Sequence, residues 1–111
     1  MNKKLLTALI ESVLEDQSQA LIPSQESAFT IGEKVFVRTV TYHLTGEIMD
    51  IRGGFLFLKD AAWIADSGRF TNAINNGDLN EVEPTQGLIR VNIGAIVDVY
   101  EWNHPLPRVQ K

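Results

Sequence analysis

The segment GEIMDIRGGFLFLK, residues 46–59, is the most informative part of this sequence. Apolar residues dominate on both sides of Gly53–Gly54, a pair that favours the tight turn of a β-hairpin. We therefore predict one strand over residues 44–51 and a second strand that starts at Phe55. Gly46 lies inside the first strand, where a glycine indicates a bend or the close approach of another backbone.

Three further runs have the composition of short strands, and they lie at residues 35–39, 88–91 and 95–100. Between the third and fourth strands, residues 69–75 predict a short helix. The chain is therefore predicted to be all-β, with five strands over residues 31–101 and one short helix inserted between strands three and four. Strands of this number and length favour a small barrel.

The two ends of the chain differ from this central part. Residues 1–22 predict an amphipathic N-terminal helix that ends before Pro23, because one apolar stripe recurs at helical spacing: Leu5, Leu6, Leu9, Ile10, Val13 and Leu14. A signal peptide is disfavoured because Glu11 interrupts the apolar run and no small-residue cleavage site follows. A membrane-surface helix is disfavoured because the polar face is not basic enough. Residues 102–111 contain two prolines and predict an irregular tail.

Length and composition limit the class of protein. The 111 residues suit a single domain with one modest core, and 44% of them are hydrophobic. No apolar run approaches the roughly 20 residues that span a bilayer, so we expect no membrane partner. The absence of cysteine excludes disulfides and thiolate metal sites and is compatible with the cytoplasm, where we expect the protein.

Charge is unevenly distributed along the chain. The net charge is −4, with +1 over residues 32–59 and −5 over residues 60–101. Nucleic-acid binders usually carry a basic stripe, because neutralising phosphates and releasing counterions supplies most of their affinity. No such stripe is visible here. Any RNA contact would have to be built locally, by repeating one arginine around an oligomer.

Two segments resemble the paired motifs of the Sm-like family, which includes Hfq-type proteins. Residues 46–59 follow the spacing of the first motif without a gap. Arg52 stands where the family usually has an aspartate, and Gly53 and Gly54 stand where Hfq-type members carry a glutamine and an aromatic residue. Leu56 replaces the asparagine that reads uracil in eukaryotic and archaeal members. The sequence thus resembles a divergent bacterial or phage-type member.

Residues 88–97 resemble the second motif, in which Arg90 keeps the basic position and Val91 replaces a histidine. The resemblance implies a helix followed by a strongly bent five-stranded barrel. It also implies a cyclic homo-oligomer, in which the edge strand of one subunit pairs with the edge strand of the next. The insertion at residues 61–80 is longer than a minimal Sm-like domain requires.

Three residues are the candidates for RNA binding near the pore of such a ring. Arg52 can offer its guanidinium to phosphate or base in every subunit, or it can be a solvated turn residue paired with Asp50 or Glu47. Arg90 lies where the family points a basic side chain at the nucleotide, although an intersubunit salt bridge is the simpler explanation. Asn92 can read a base, but an asparagine at a corner more often turns the backbone.

Other candidate residues favour structural roles. Trp63 and Phe70 can stack on bases, but their spacing is more typical of a hydrophobic lid over the barrel. His43 and His104 lie sixty-one residues apart and lack metal-ligand spacing. No nucleophile motif is present, so we expect no enzyme, no catalytic residue, no metal and no cofactor.

Two hypotheses about function remain open. The first is a ring-forming Sm-like protein that binds single-stranded RNA near the pore. The second is an Sm-like oligomeric scaffold or assembly module without nucleic-acid binding, related to phage or mobile-element proteins. The acidic composition and the missing readout residues favour the second hypothesis. The ungapped motif spacing and the retained arginines favour the first.

Overall fold

The computed structural model describes residues 28–111, and residues 31–111 form one compact unit. The N-terminal helix predicted over residues 1–22 lies outside the described residues. The described part contains six strands and one α-helix: β1 (Lys34–Thr39), β2 (His43–Arg52), β3 (Phe55–Asp66), α1 (Phe70–Asn76), β4 (Glu81–Pro84), β5 (Ile89–Asn92) and β6 (Ile96–Glu101). A 3-10 turn, Ile93–Ala95, joins β5 to β6.

All strand pairs are antiparallel, and the sheet order is β4-β3-β2-β1-β6, with β5 also paired to β3. The twelve residues of β3 are long enough for two partners. Its first residues, Phe55 to Leu58, pair with β5, and its last residues, Ala62 to Asp66, pair with β4. The sequence predicts five strands because β4, only four residues long, was not recognised. The predicted fourth strand corresponds to β5.

The sheet bends strongly enough for its distant ends to meet. The Ile93 amide donates to the Gly54 carbonyl at 3.0 Å, and the Val40 amide donates to the Ala95 carbonyl at 3.1 Å. These two bonds attach the 3-10 turn to the β2–β3 hairpin on one side and to the end of β1 on the other. The resulting shape is a small, sharply curved sheet whose two motif segments, residues 46–59 and 88–97, lie in neighbouring strands.

Gly46 allows β2 to cross closely over β3. A Cβ atom at this position would lie 3.0 Å from Cβ of Leu58 and 3.4 Å from Cβ of Ala61, and the first of these contacts is tighter than most side-chain contacts. The β2–β3 register shifts beside it, between Thr45 and Glu47. The sequence predicts a bend or the close approach of another backbone at this glycine, and the structure shows a register shift and the close approach of side chains of β3.

Two layers of buried side chains stabilise the fold. One face of the curved sheet buries aliphatic residues almost completely: Val35, Val37, Ile48, Leu56, Leu58 and Val91. The other face is covered by α1 and the C-terminal residues, with Phe36 stacked on Trp102 at 5.8 Å between ring centroids. Phe70 of α1 packs edge-to-face on Phe36 and Tyr100. Aromatic pairs of this geometry add to the hydrophobic stabilisation.

The C-terminal residues contain no helix or strand, yet they are anchored at several points. Trp102 is buried and donates its indole N–H to the Pro105 carbonyl at 3.2 Å. Arg108 donates to the carbonyls of Ala61 and Thr85. Lys111 exchanges two backbone hydrogen bonds with Val82, so it covers part of the outer edge of β4. Within the described part of the chain, no helix is both long and apolar enough to cross a membrane.

Candidate nucleic-acid interface

The hairpin between β2 and β3 fixes the position of Arg52. Gly53 and Gly54 both adopt positive φ angles, of 60° and 79°, which two-residue hairpin turns of the primed type require. This tight turn places Arg52 directly opposite Phe55 in the β2–β3 ladder. The glycines that replace the family's glutamine and aromatic residue therefore serve the backbone of the turn.

Strand alternation sorts the residues of this hairpin onto two faces. Leu56 and Val91 are opposite each other across β3 and β5 and are buried in the core. Phe57 therefore points to the outer face, where Arg90 is its direct partner in the ladder. Phe55 and Asn92 form the next pair on the same outer face. The burial of Leu56 shows that the position of the family's uracil-reading asparagine is used for packing in this chain.

Arg52 is held by two neighbours and remains accessible. Its guanidinium carbon lies 5.0 Å from the centre of the Phe57 ring, in a cation–π contact, and its Nε lies 3.5 Å from a carboxylate oxygen of Asp50. The side chain is nevertheless 73% exposed. The pairing with Asp50 expected for a turn arginine is thus present, and the exposed guanidinium keeps donors for a ligand.

Arg90 shares an open groove with Arg52. The groove has a volume of about 630 Å³ and is lined by Arg52, Gly53, Phe55, Phe57 and Arg90. Arg90 is exposed and makes no ion pair with any residue that the structure describes. Two of the three candidate residues from the sequence are therefore brought together around one groove, from strands that are distant in sequence.

The side chain of Asn92 has a structural role beside this groove. Its side-chain oxygen accepts a hydrogen bond from the Gly94 amide at 2.8 Å and caps the 3-10 turn. This is the backbone-turning role that the sequence favoured for it. Asn92 is exposed next to Phe55 but does not line the groove.

Phe55 and Phe57 are the groove residues that the sequence did not single out. Phe55 is 40% exposed, which is high for a phenylalanine in a strand. In the run FLFL every residue is apolar, so the sequence does not show which side chains leave the core. Only the pairing of Leu56 and Leu58 with β5 assigns the two phenylalanines to the outer face.

The remaining sequence candidates have mixed outcomes. Phe70 packs on Phe36, Tyr100 and the Arg38 guanidinium, in agreement with a role in covering the sheet. Trp63 is 42% exposed on β3, far along the strand from the groove. His104 contacts the Ile74 carbonyl through Nε2 at 2.7 Å and packs against Gly77. Among residues 28–111, no group of three or more His, Cys, Asp or Glu side chains is arranged to hold a metal ion.

A second charged cluster lies between β1, β6 and α1. Arg38 forms a two-pronged ion pair with Asp98, and Tyr100 donates its hydroxyl to the same carboxylate. The hydrogen bonds from Arg38 hold the pKa of Asp98 below its usual range. Burial, reinforced by the nearby charge of Arg38, lowers the pKa of His43. These contacts attach α1 to the sheet, because Arg38 also lies 4.8 Å from the Phe70 ring centre.

The described part of the sheet has two edges without a partner strand, namely the outer sides of β5 and β6. The Trp102 amide bonds to the Lys34 carbonyl, so by strand alternation the amides of Val99 and Glu101 point away from β1. The Ile93 amide bonds to Gly54, so the amides of Arg90 and Asn92 likewise point away from β3. Within residues 28–111, no strand pairs with these outer sides of β5 and β6.

Comparison with solved structures identifies the architecture. The P. aerophilum SmAP1 heptamer superposes with a TM-score of 0.50 at 17% identity, covering 72% of this chain and 90% of the other. The chain has an Sm-like fold. A heptameric archaeal Sm protein gives a TM-score of 0.46 at 19% identity, covering 64% of this chain and 87% of the other. No protein-family model and no curated protein sequence matches the chain.

The Sm-like fold agrees with the placement of the two motif segments. The first motif forms the β2–β3 hairpin, and the second forms β5 and the start of β6. Residues of both motif segments line the groove between Arg52 and Arg90. In this chain the end of β3 and α1 occupy the long segment at residues 61–80 between the two motifs, and β4 follows that segment.

Proposed function

We propose that this chain is a ring-forming Sm-like protein that binds single-stranded RNA through Arg52 and Arg90 and performs no catalysis. The observation that carries the proposal is the groove that joins both arginines to two outward-facing aromatic rings. Guanidinium groups offer paired donors to phosphate oxygens, and aromatic rings accept unpaired bases. The expected location remains the cytoplasm.

Ring formation is supported by the two strand edges that have no partner strand in the described part of the chain. β5 and β6 lie at different borders of the sheet, so pairing β5 of one copy with β6 of the next is a head-to-tail contact that closes by rotation. It satisfies the outward amides of Arg90, Asn92, Val99 and Glu101. The same contact places one groove beside each interface of the ring. Because salt screens distant charges, the local arginines then affect RNA binding more than the net charge of −4 per chain does.

Binding of labelled U-rich and A-rich oligonucleotides across a salt series tests the proposal. We expect affinity to fall as salt rises, and Arg52→Glu or Arg90→Glu to weaken binding by at least about tenfold at low salt. Arg69→Glu is the matched control, because Arg69 is exposed next to α1 and does not line the groove. Undetectable binding at low salt, or equal losses in all three variants, would contradict RNA binding at this site.

The scaffold hypothesis is the alternative, and two observations support it. The family's readout positions are occupied by Gly53, Gly54 and the buried Leu56. The outer strand β4 and its partner positions are acidic, with Glu81, Glu83 and Asp66 on one exposed surface. A ring of unchanged mass that binds no oligonucleotide at any salt concentration is the result that would select this alternative. The relation to phage-type proteins remains part of this second proposal.

A further inference from the structure

Phe55 and Phe57 form an aromatic surface, and the proposed function does not say which kinds of strand this surface accepts. Both rings line the groove, and both leave the core on the outer face of β3. Phe55 is 40% exposed, although burying a phenylalanine is normally favourable by about 2 kcal/mol. Exposed aromatic rings flanked by arginines are the combination on which single-stranded nucleic acids stack.

We infer that Phe55 holds one unpaired base by its ring face and that Phe57, with the Arg52 guanidinium over its ring, holds the next base, so that the groove accepts any unstructured single strand, whether RNA or DNA. This inference rests on the proposed function, since it concerns the same groove. It adds what the groove recognises, namely the flat surface of a base and the phosphate beside it.

The spacing of the two rings favours an unstacked strand. Residues two apart in a β-strand project from the same face about 6.6 Å from each other. Bases that remain stacked in a helix are only about 3.4 Å apart. One base at each of these two positions therefore requires the two bases to separate, and a duplex cannot do this without breaking its pairs.

Arg52 extends the surface over Phe57. Its guanidinium lies over the ring at 5.0 Å and is kept there by Asp50, while its outer side faces solvent. A planar guanidinium can itself accept a base on its free face. Arg90 faces Phe57 from the neighbouring strand, at a Cβ separation of about 5 Å, where it can reach the phosphate that joins the two bases.

Apart from the two arginines, no side chain that lines the groove carries a hydrogen-bonding group for base edges or the ribose. Its other lining residue is Gly53, and the side-chain oxygen of the adjacent Asn92 is already bonded to Gly94. Discrimination between bases requires specific donors and acceptors, and discrimination between RNA and DNA requires a contact to the 2′-hydroxyl. Among the described residues, only the two arginines supply polar side chains to the groove. Because the inference assigns Arg90 to a phosphate and Arg52 to a base face, recognition tolerates both sequence and sugar.

Three oligonucleotides of equal length and charge test the inference on the full chain: an RNA, a DNA of the same sequence and a DNA with abasic sites throughout. We expect RNA and DNA to bind within about threefold of each other. The abasic strand keeps every phosphate but has no bases to stack, so we expect its affinity to fall by about 5- to 100-fold. The measurement is made at one fixed low salt concentration.

Variants of the two phenylalanines test whether the contact to the bases is made in this groove. Phe57→Leu and Phe55→Leu keep apolar volume and should each weaken binding of RNA and DNA by about 5-fold or more, while leaving abasic binding unchanged. Trp63→Leu is the matched control, since it removes an exposed aromatic ring of the same strand outside the groove. Phe55 is the more exposed of the two rings, so Phe55→Leu decides the question if Phe57→Leu fails to fold.

The outcomes separate the inference from the function on which it rests. Equal binding of the abasic and normal strands, or unchanged binding in both leucine variants, overturns base stacking and leaves arginine-dependent binding intact. A preference for RNA over DNA of more than tenfold overturns the tolerance of sugar. If none of the three strands binds, the proposed RNA-binding function fails together with the inference.

Discussion

His43 and Asp98 connect the stability of this protein to pH through single side chains. In the folded state both pKa values lie below their ordinary ranges, His43 chiefly through burial and Asp98 chiefly through its hydrogen bonds to Arg38. The unfolded chain therefore binds a proton more readily than the folded protein at each of these groups. The stability that each group contributes is fully present above its ordinary, unfolded-state pKa. It is lost as the pH falls through the lowered pKa of the folded state.

We therefore expect the free energy of unfolding to fall as the pH drops below about 6.5, the ordinary pKa of histidine. Because His43 causes this part of the loss, His43→Gln should flatten the change between pH 7.5 and 5.5, as measured by urea unfolding. Between pH 7.5 and 8.5, where the imidazole is neutral in both states, the two proteins should respond alike. An equally steep loss in His43→Gln between pH 7.5 and 5.5 would contradict this account.

Among the residues that line the groove, the sequence singles out the charged side chains but not the apolar ones. Arg52 and Arg90 stand out because each is a basic residue within a segment that resembles an Sm-like motif. Phe55 and Phe57 do not stand out, because alternate faces of a strand cannot be distinguished when every residue is hydrophobic. Pairing with β5 determines that Phe55 and Phe57 lie on the outer face. β5 is more than thirty residues away in sequence, so the local sequence does not contain this information.

Among the elements, local turn chemistry made the β2–β3 hairpin predictable. Two consecutive glycines permit only a few backbone geometries between apolar runs, and the observed turn uses both positive φ angles. β4 was missed because its four residues, Glu81–Pro84, are short and end in a proline. It exists because the long β3 continues past β5 and offers a second stretch of backbone partners.

The C-terminal residues behave as a structural element despite their irregular backbone. Trp102 is the largest fully buried side chain, it stacks on Phe36, and its indole bonds to Pro105. We expect Trp102→Ala to reduce the free energy of unfolding by about 3–5 kcal/mol. Trp102→Phe keeps most of the ring and should lose much less. Urea unfolding monitored by circular dichroism measures both, and a loss below about 1 kcal/mol for the alanine variant would contradict this anchoring role.

At the scale of the whole molecule, the decisive feature is that, within residues 28–111, the sheet ends in two unpaired edges of different strands. Lys111 covers part of β4, which leaves β5 and β6 as the edges available to another copy. Such edges promote uncontrolled association unless they are matched to one specific partner. The curvature of the sheet was implied by the family resemblance, whereas the covering of β4 depends on contacts between segments far apart in sequence and was not predictable.

Val99 offers a direct way to break the proposed contact without disturbing the subunit. Its amide points to the free side of β6, so Val99→Pro removes an intersubunit donor and no hydrogen bond of the β1–β6 ladder. Val99→Thr keeps the amide and the branched side chain and is the matched control. We expect the proline variant to lose assembly and keep its circular dichroism spectrum, and the threonine variant to assemble normally.

Native mass spectrometry at micromolar concentration tests the central claim most directly. A head-to-tail ring predicts one dominant species whose mass is a fixed multiple of 12.4 kDa for the wild type and Val99→Thr. Val99→Pro should appear at 12.4 kDa alone. A wild-type protein found only at 12.4 kDa would contradict the ring, and with it both the proposed RNA-binding assembly and its scaffold alternative.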